Sequence, residues 1–489
     1  MTRIRRLAWL RRKISSLRQP FQSLTSTSSP IPLFAMGTIL VMAALTFGMT
    51  GAQQSGYPYR SYLTTPDELH VIAEKAEAGI EPYSSAVEEV LDWAERDWDY
   101  EVDEEIACRG ADNPRWIDDR GTGIIYASAL AYHLTGEEKY AERVMDVIHE
   151  IMQTVISIPD DRQQCRLNFG WGTPEYVAAA ELIGEYWEGM TCEGPASTLY
   201  GDDTLEEGNC KRLFQNWLVK NPYYIVSYAA SAQSNWGAAA TNTTMYIADY
   251  LWDRPELALI HRHPPGKHNG DNIELTPAQA YAYSKQLLLD RLNGLGVEFD
   301  SSSSCDYLEG RQQSEDFPPV KSQITENGVI PEDARREEHC NIPYYNGEYQ
   351  NYPQIHLNNT VQQCELMLRR GDQSCYENIS LDDIPQYTFT GPDGKEKVTQ
   401  LYAGRGSVER AINAIIIDSG TEWRHDAALY VAYRYYLFNS RFGLVPAWYE
   451  ELDRSGGCSQ GICFGQLTHG FARDESPSLP LTIEPPSDD

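Results

Sequence analysis

Apolar positions recur along most of the chain with the period of an amphipathic helix, and strict alternation is nearly absent before residue 385. Combined with start and stop signals, the pattern predicts helices over Pro66 to Gly79, Glu81 to Trp98, Gly121 to Leu134, Glu137 to Ile156, Pro174 to Met190 and Cys210 to Tyr228. It continues over Trp236 to Trp252, Pro277 to Leu292, Pro331 to His339, Ile355 to Arg370, Ser407 to Ile417 and Thr421 to Phe442. Thr135-Gly136 is a natural stop between the third and fourth, because Gly enters the left-handed conformation that closes a helix. Consecutive amphipathic helices joined by loops imply an all-α packing of helical hairpins, either a solenoid or a closed (α/α) toroid. No fixed-period repeat is visible, which counts against the common solenoids. Two long connections, Asp253 to Thr276 and Glu298 to Thr325, have the size usually kept for function or disorder.

The first 30 residues hold seven Lys or Arg and no Asp or Glu, and Ile31 to Met49 is an apolar run about one bilayer thick. The domain plan is therefore a basic segment over 1–30, a signal anchor or signal peptide over 31–52, a helical domain over 58–470, and a disordered acidic, Pro-rich tail over 471–489. Either form of the N-terminal segment exports the rest, to the periplasm, the exterior or an anchored position on the membrane. All ten cysteines follow the apolar run, so disulfides are expected, with Cys192 and Cys210, Cys364 and Cys375, and Cys458 and Cys463 close enough to clip loops. Sequons at Asn242, Asn358 and Asn378 permit glycosylation. A net charge of −31 excludes nucleic acid as a natural partner and obliges any anionic substrate to find a local positive patch. No Cys/His spacing suits a metal, and His261, His263 and His268 read as a solvated loop.

Candidate chemistry concentrates in Gly328 to His339. On a helix, Glu332, Arg335 and His339 would share one face and combine a carboxylate, a guanidinium and an imidazole, unless they simply form a solvated charged helix end. Asn235 precedes a predicted helix at Trp236, where it would either serve a site or cap the helix. Trp171 and Trp236 are sugar platforms or ordinary core. His356 sits near a helix start beside Asn358 and Asn359, and His469 is either a site residue or a satisfied core histidine.

In order along the chain, Leu130-Ala-Tyr-His-Leu-Thr-Gly-Glu-Glu-Lys-Tyr-Ala141, Phe169-Gly-Trp171, Ala178-Ala-Ala-Glu-Leu-Ile183, Ser234-Asn235-Trp236-Gly237, Gly328 to His339, Tyr430 to Leu444 and Gly465-Gln-Leu-Thr-His469 resemble the alginate-lyase superfamily of (α/α)-toroid polysaccharide lyases. The resemblance spans about residues 58 to 470 and implies an incomplete (α/α) toroid that cleaves a uronic-acid polymer by β-elimination without an obligatory organic cofactor. It implies Asn235 and Arg335 beside the substrate carboxylate, His339 as the first candidate base and Tyr349 as the leading candidate acid, with Tyr344, Tyr345 and Tyr352 as alternatives. Glu332, Tyr344, Tyr352, His356, His469, Trp171 and Trp236 would then line the substrate path. Two departures stand out: the family's Asn-Asn-His reads Ser234-Asn235-Trp236 here, and Ile342 replaces the tyrosine expected seven residues after Arg335, with tyrosines clustered instead at 344, 345, 349 and 352. Two other readings remain. One is a glycoside hydrolase using Glu332 and Asp426, and the other is a carbohydrate-binding surface protein without catalysis.

Overall fold

The computed structural model describes residues 59–471 apart from 109–115, 161–162, 233, 265–271, 294–329, 331–332, 334–351, 378–386, 391–395, 400–406, 420–425 and 441–456. The described chain is mostly helical. Helix α1 (Pro66–Glu77) opens on a capping box, in which Thr65 accepts from the Glu68 N–H and the Glu68 carboxylate accepts in return from the Thr65 N–H. Helix α2 (Tyr83–Ala94) is followed by α3 (Asp119–Thr135), which Asp118 caps and Gly136 closes at φ 69°. Helices α4 (Glu138–Thr154) and α5 (Gln163–Leu182) lead to a hairpin of β1 (Thr191–Pro195) and β2 (Leu205–Asn209). Helix α6 (Cys210–Leu218) continues through a π-helical turn at Val219–Tyr223 to Tyr224–Ser227. Then come α7 (Asn235–Tyr250), paired strands β3 (Leu259–His261) and β4 (Ile273–Leu275), α8 (Pro277–Asn293) and α9 (Tyr352–Arg369). The remaining elements are paired β5 (Tyr387–Thr390) and β6 (Glu396–Thr399), α10 (Val408–Ser419), α11 (Asp426–Asn439), paired β7 (Cys458–Ser459) and β8 (Ile462–Cys463), and α12 (Gly465–His469).

Hydrogen bonds between helices fix their directions. His133 near the end of α3 bonds the Leu182 carbonyl at the end of α5, and Gly172 packs against Thr122 nearer their starts, so the two helices are parallel. Thr243 donates to the Gly170 carbonyl at 2.7 Å, and Glu181 and Asp249 both accept from Arg60, so α5 and α7 are parallel. Asn242 donates to Gln362, and Arg370 forks onto Asp249 at 2.8 and 2.6 Å, so α7 and α9 are parallel as well. The intervening helices run the other way. Ser284 meets Thr244 at 2.8 Å while Arg291 reaches Thr241 and the Ala230 carbonyl, making α8 antiparallel to α7. Four parallel helices, α3, α5, α7 and α9, thus begin at one end of the fold, where their unpaired N–H groups favour negative charge.

Several sequence expectations are corrected here. Helix α5 starts at Gln163 rather than Pro174, because Cys165 is bridged to Cys108 and Phe169 packs on Trp116, so burial carries the helix through the proline. Strands do occur before residue 385: β1 alternates exposed and buried positions and β2 has none buried, and Glu193, Glu206 and Glu207 hide the hairpin from a hydrophobicity reading. The 253–276 connection carries β3 and β4. His261 and His263 are buried, the first against Tyr223 and the second bonded to the Tyr283 hydroxyl at 2.9 Å, so they are not a solvated loop. Asn242 and Asn358 are fully buried inside α7 and α9, which rules out a glycan at either in the folded protein. His268, Asn378, the apolar run 31–49 and the tail from 472 lie outside the described residues. No helix among the described residues is long and apolar enough to cross a membrane. Disulfides join Cys192 to Cys210, Cys364 to Cys375 and Cys458 to Cys463 as expected, together with Cys108 to Cys165, a set compatible with export to an oxidising compartment.

Candidate functional site

The first turn of α7 meets the first turns of α9 across a single carboxylate. Asp333 is fully buried; its Oδ1 accepts from both the backbone N–H and the Nδ2–H of Asn235, each at 3.0 Å. Its Oδ2 lies 2.8 Å from His356 Nδ1. Ser234 takes the cap of α7, accepting from the Trp236 N–H, so Asn235 is released from the capping role that its position suggested. A carboxylate on Nδ1 makes that nitrogen the protonated one in neutral imidazole and leaves Nε2 as the free base. The negative charge of Asp333 sits at a helix N-terminus, where the macrodipole favours it.

Arg291 braces this corner. Its guanidinium is buried and donates to the carbonyls of Ala230 and Ala232 and to Thr241, so it fastens the turn before α7 onto the helix. Burial pushes Arg291 down to about 10, against the opposing pull of Asp333. Gly237 is required by this contact: a Cβ there would lie 1.8 Å from the Ala232 carbonyl oxygen and 2.8 Å from Arg291 Nη2.

The other expected residues divide into three groups. Trp236 flanks Asn235, and Trp171 follows Gly170, which packs on Ala239 of α7; both rings are partly buried, with indole N–H groups that have no protein partner. Tyr352 opens α9 four residues before His356 and so shares its helix face. His469 lies in a different cluster, buried with Nε2 3.1 Å from Glu365 and Nδ1 bonded to Thr468. Glu332, Arg335, His339, Tyr344 and Tyr349 lie outside the described residues.

Sequence reasoning missed Asp333 and Arg291. A helical-face argument through Glu332 and Arg335 turns Asp333 away, and its signal was only its place between them. It missed a deeper polar seam too. Glu175 of α5 accepts from Gln362, whose amide oxygen accepts from Asn242. Burial pushes the Glu175 carboxyl up to about 8, so it is largely protonated at neutral pH. Unpartnered Asn235 Oδ1, Asn242 Oδ1, Gln363 Oε1 and Glu175 Oε2 gather along α5, α7 and α9, a density of unmatched buried polar atoms that a packed core does not explain. Among the described residues no group of three or more His, Cys, Asp or Glu could hold a metal ion.

The chain matches no family model and no curated protein. Among solved structures it is similar to the crystal structure of an alginate lyase from Bacteroides ovatus, at 13% identity over 81% of this chain and 97% of that one, with a TM-score of 0.44. A likeness at that level carries no weight for chemistry, which has to come from the residues themselves.

Proposed function

We propose that this protein is a polysaccharide lyase on an incomplete (α/α) toroid, cleaving a uronic-acid-containing polymer by β-elimination. The observation that carries the reading is the Asp333 carboxylate bridging Asn235 and His356. Elimination needs three things: a donor to the uronate carboxylate as charge develops, a base for the C5 proton, and an acid for the leaving oxygen. Asn235 and Arg335, which follows Asp333 by two residues in sequence, supply the first. His356 supplies the second, with Asp333 holding Nδ1 protonated and Nε2 basic. His339, which the sequence pattern favours, is the competing base. The leaving oxygen takes its proton from a tyrosine, Tyr349 by the sequence pattern or Tyr352 by its place on the His356 face. The parallel register of α3, α5, α7 and α9 supports the toroid, and the gathered helix N-termini give an acidic chain an end that tolerates a polyanion. Trp171 and Trp236 are the sugar platforms of this reading.

The test is the release of unsaturated uronyl ends from a panel of polyuronates, followed by near-ultraviolet absorbance. His356→Ala abolishes that release if His356 is the base, and His339→Ala does so if His339 is. Tyr349→Phe and Tyr352→Phe separate the two acids in the same way. New reducing ends without unsaturation would instead favour hydrolysis through Glu332 and Asp426. Binding without any cleavage would favour a carbohydrate-binding surface protein.

A further inference from the structure

A second polar group at the same end of the fold plays no part in the proposed catalytic centre. Arg166 lies in the first turn of α5, and Tyr224 and Tyr228 lie at the end of the α6 segment just before the turn into α7. Arg262 follows β3 directly, and its backbone N–H bonds Ser227 Oγ at 3.1 Å. The guanidinium carbons of Arg166 and Arg262 are 4.1 and 5.1 Å from the centre of the Tyr228 ring. Arg262 is also 4.6 Å from the centre of Tyr224, which stacks on Tyr200 at 4.3 Å. Asp160 ties the two cations together, with both Arg262 Nη atoms at 2.5 and 2.7 Å and Arg166 Nη2 at 3.1 Å. Although burial raises it, the two guanidiniums hold the Asp160 carboxyl below the usual range, so it stays ionised.

Two guanidiniums against one carboxylate leave a local positive charge in a chain of net −31. Asp160 accounts for the Arg262 fork as a structural clamp. Arg166 is held through Nη2 alone, on Asp160 Oδ1 and the Asp160 carbonyl, which leaves its Nε–H without a protein partner, and the rings of Tyr200, Tyr224 and Tyr228 stay partly exposed. Cations beside partly exposed aromatic rings suit a carboxylate-bearing sugar, whose C–H groups pack on a ring while its carboxylate pairs with a guanidinium.

We propose that Arg166, Arg262, Tyr224 and Tyr228 form an accessory subsite that grips one uronate unit of the polymer away from the bond being broken. The assignment rests on the lyase reading above. It makes the enzyme favour long chains, because only they reach both the catalytic centre and the subsite. The experiment measures kcat and KM on mannuronate and glucuronate oligomers graded in length, for wild type, Arg166→Gln and Tyr228→Leu. Tyr228→Leu keeps both contacts to Asp160, so it decides the matter if Arg166→Gln fails to fold. For long oligomers KM rises about tenfold, the weight of one charge-assisted contact, with kcat nearly unchanged. The shortest oligomer cleaved shows no change. If the folded variants keep wild-type KM at every length while wild type is active, the subsite alone is refuted. If wild type neither binds nor cleaves any of these oligomers, the lyase reading and the subsite fall together.

Discussion

Asp333→Asn is the sharpest perturbation of the catalytic centre. The carboxylate accepts three hydrogen bonds, two from Asn235 at 3.0 Å and one from His356 at 2.8 Å, and is fully buried. An asparagine that keeps its oxygen toward Asn235 turns its NH2 toward His356. Nδ1 must then accept, the proton moves to Nε2, and the base is lost. General-base catalysis contributes typically a hundredfold to ten-thousandfold, so kcat should fall about a thousandfold with KM changed little. Some stability is lost too, about 1.5–3 kcal/mol, because the buried carboxylate's charge-assisted bonds become neutral ones. The assay is the initial rate of near-ultraviolet absorbance growth on the best polyuronate, with circular dichroism to confirm folding. His356→Ala should match Asp333→Asn, and the double variant should be no worse than either, because residues acting as a unit are not additive. A folded Asp333→Asn enzyme within about threefold of the wild-type rate would refute this account of how the imidazole is held.

Other expectations follow from the same packing. Glu175 has a folded pKa raised to about 8, so its contribution to stability is full below its ordinary value of 4.5 and is lost progressively as pH rises to about 8; Glu175→Gln should melt higher than wild type near pH 9 and alike near pH 5. Asp249 is the opposite case: burial raises it, but Arg370 and Arg60 hold it at about 2, so its share, about 2 kcal/mol, is present above pH 4 and lost as pH falls toward 2. Asp249→Asn should therefore flatten the acid limb of a urea-midpoint curve. Gly237→Ala drives a methyl into the Ala232 carbonyl and should destabilise by about 1–3 kcal/mol in denaturant melts while disturbing Asn235 and lowering the rate. Replacing Cys192 and Cys210, separated by 18 residues, with alanine should cost about 3 kcal/mol on the loop-closure argument.

The helices were legible because their signals are local. Thr65 with Glu68, Gly136 after Thr135, and the apolar stripe of α2 each specify a helix without reference to the rest of the chain. The failures came where distant residues decide. Pro174 looked like a helix start, yet the bridge from Cys165 to Cys108 and the packing of Phe169 carry α5 through it. The β1–β2 hairpin has acidic faces and no apolar alternation to betray it.

In the site, Asn235 and His356 were visible as polar residues at helix starts, but nothing local tells which carboxylate joins them. Asp333 was hidden beside Glu332 and Arg335, because a helix-face argument selects its neighbours and rotates it away. Arg291 falls in the last turn of the predicted helix Pro277 to Leu292, and only the packing of α8 on α7 aims it at the Ala230 and Ala232 carbonyls. His469 was visible as a histidine in a terminal motif, but only the third dimension sets it against Glu365 in a cluster anchored by Arg369 and Glu68.

The central claim is elimination driven by the imidazole of His356, and the most direct measurement follows products rather than binding. Wild type and His356→Ala are incubated with alginate, glucuronan and related polyuronates, and both near-ultraviolet absorbance and new reducing ends are read. The account predicts that wild type generates the two signals together on at least one polymer and that folded His356→Ala generates neither. Reducing ends without absorbance, or full elimination by folded His356→Ala, would contradict it.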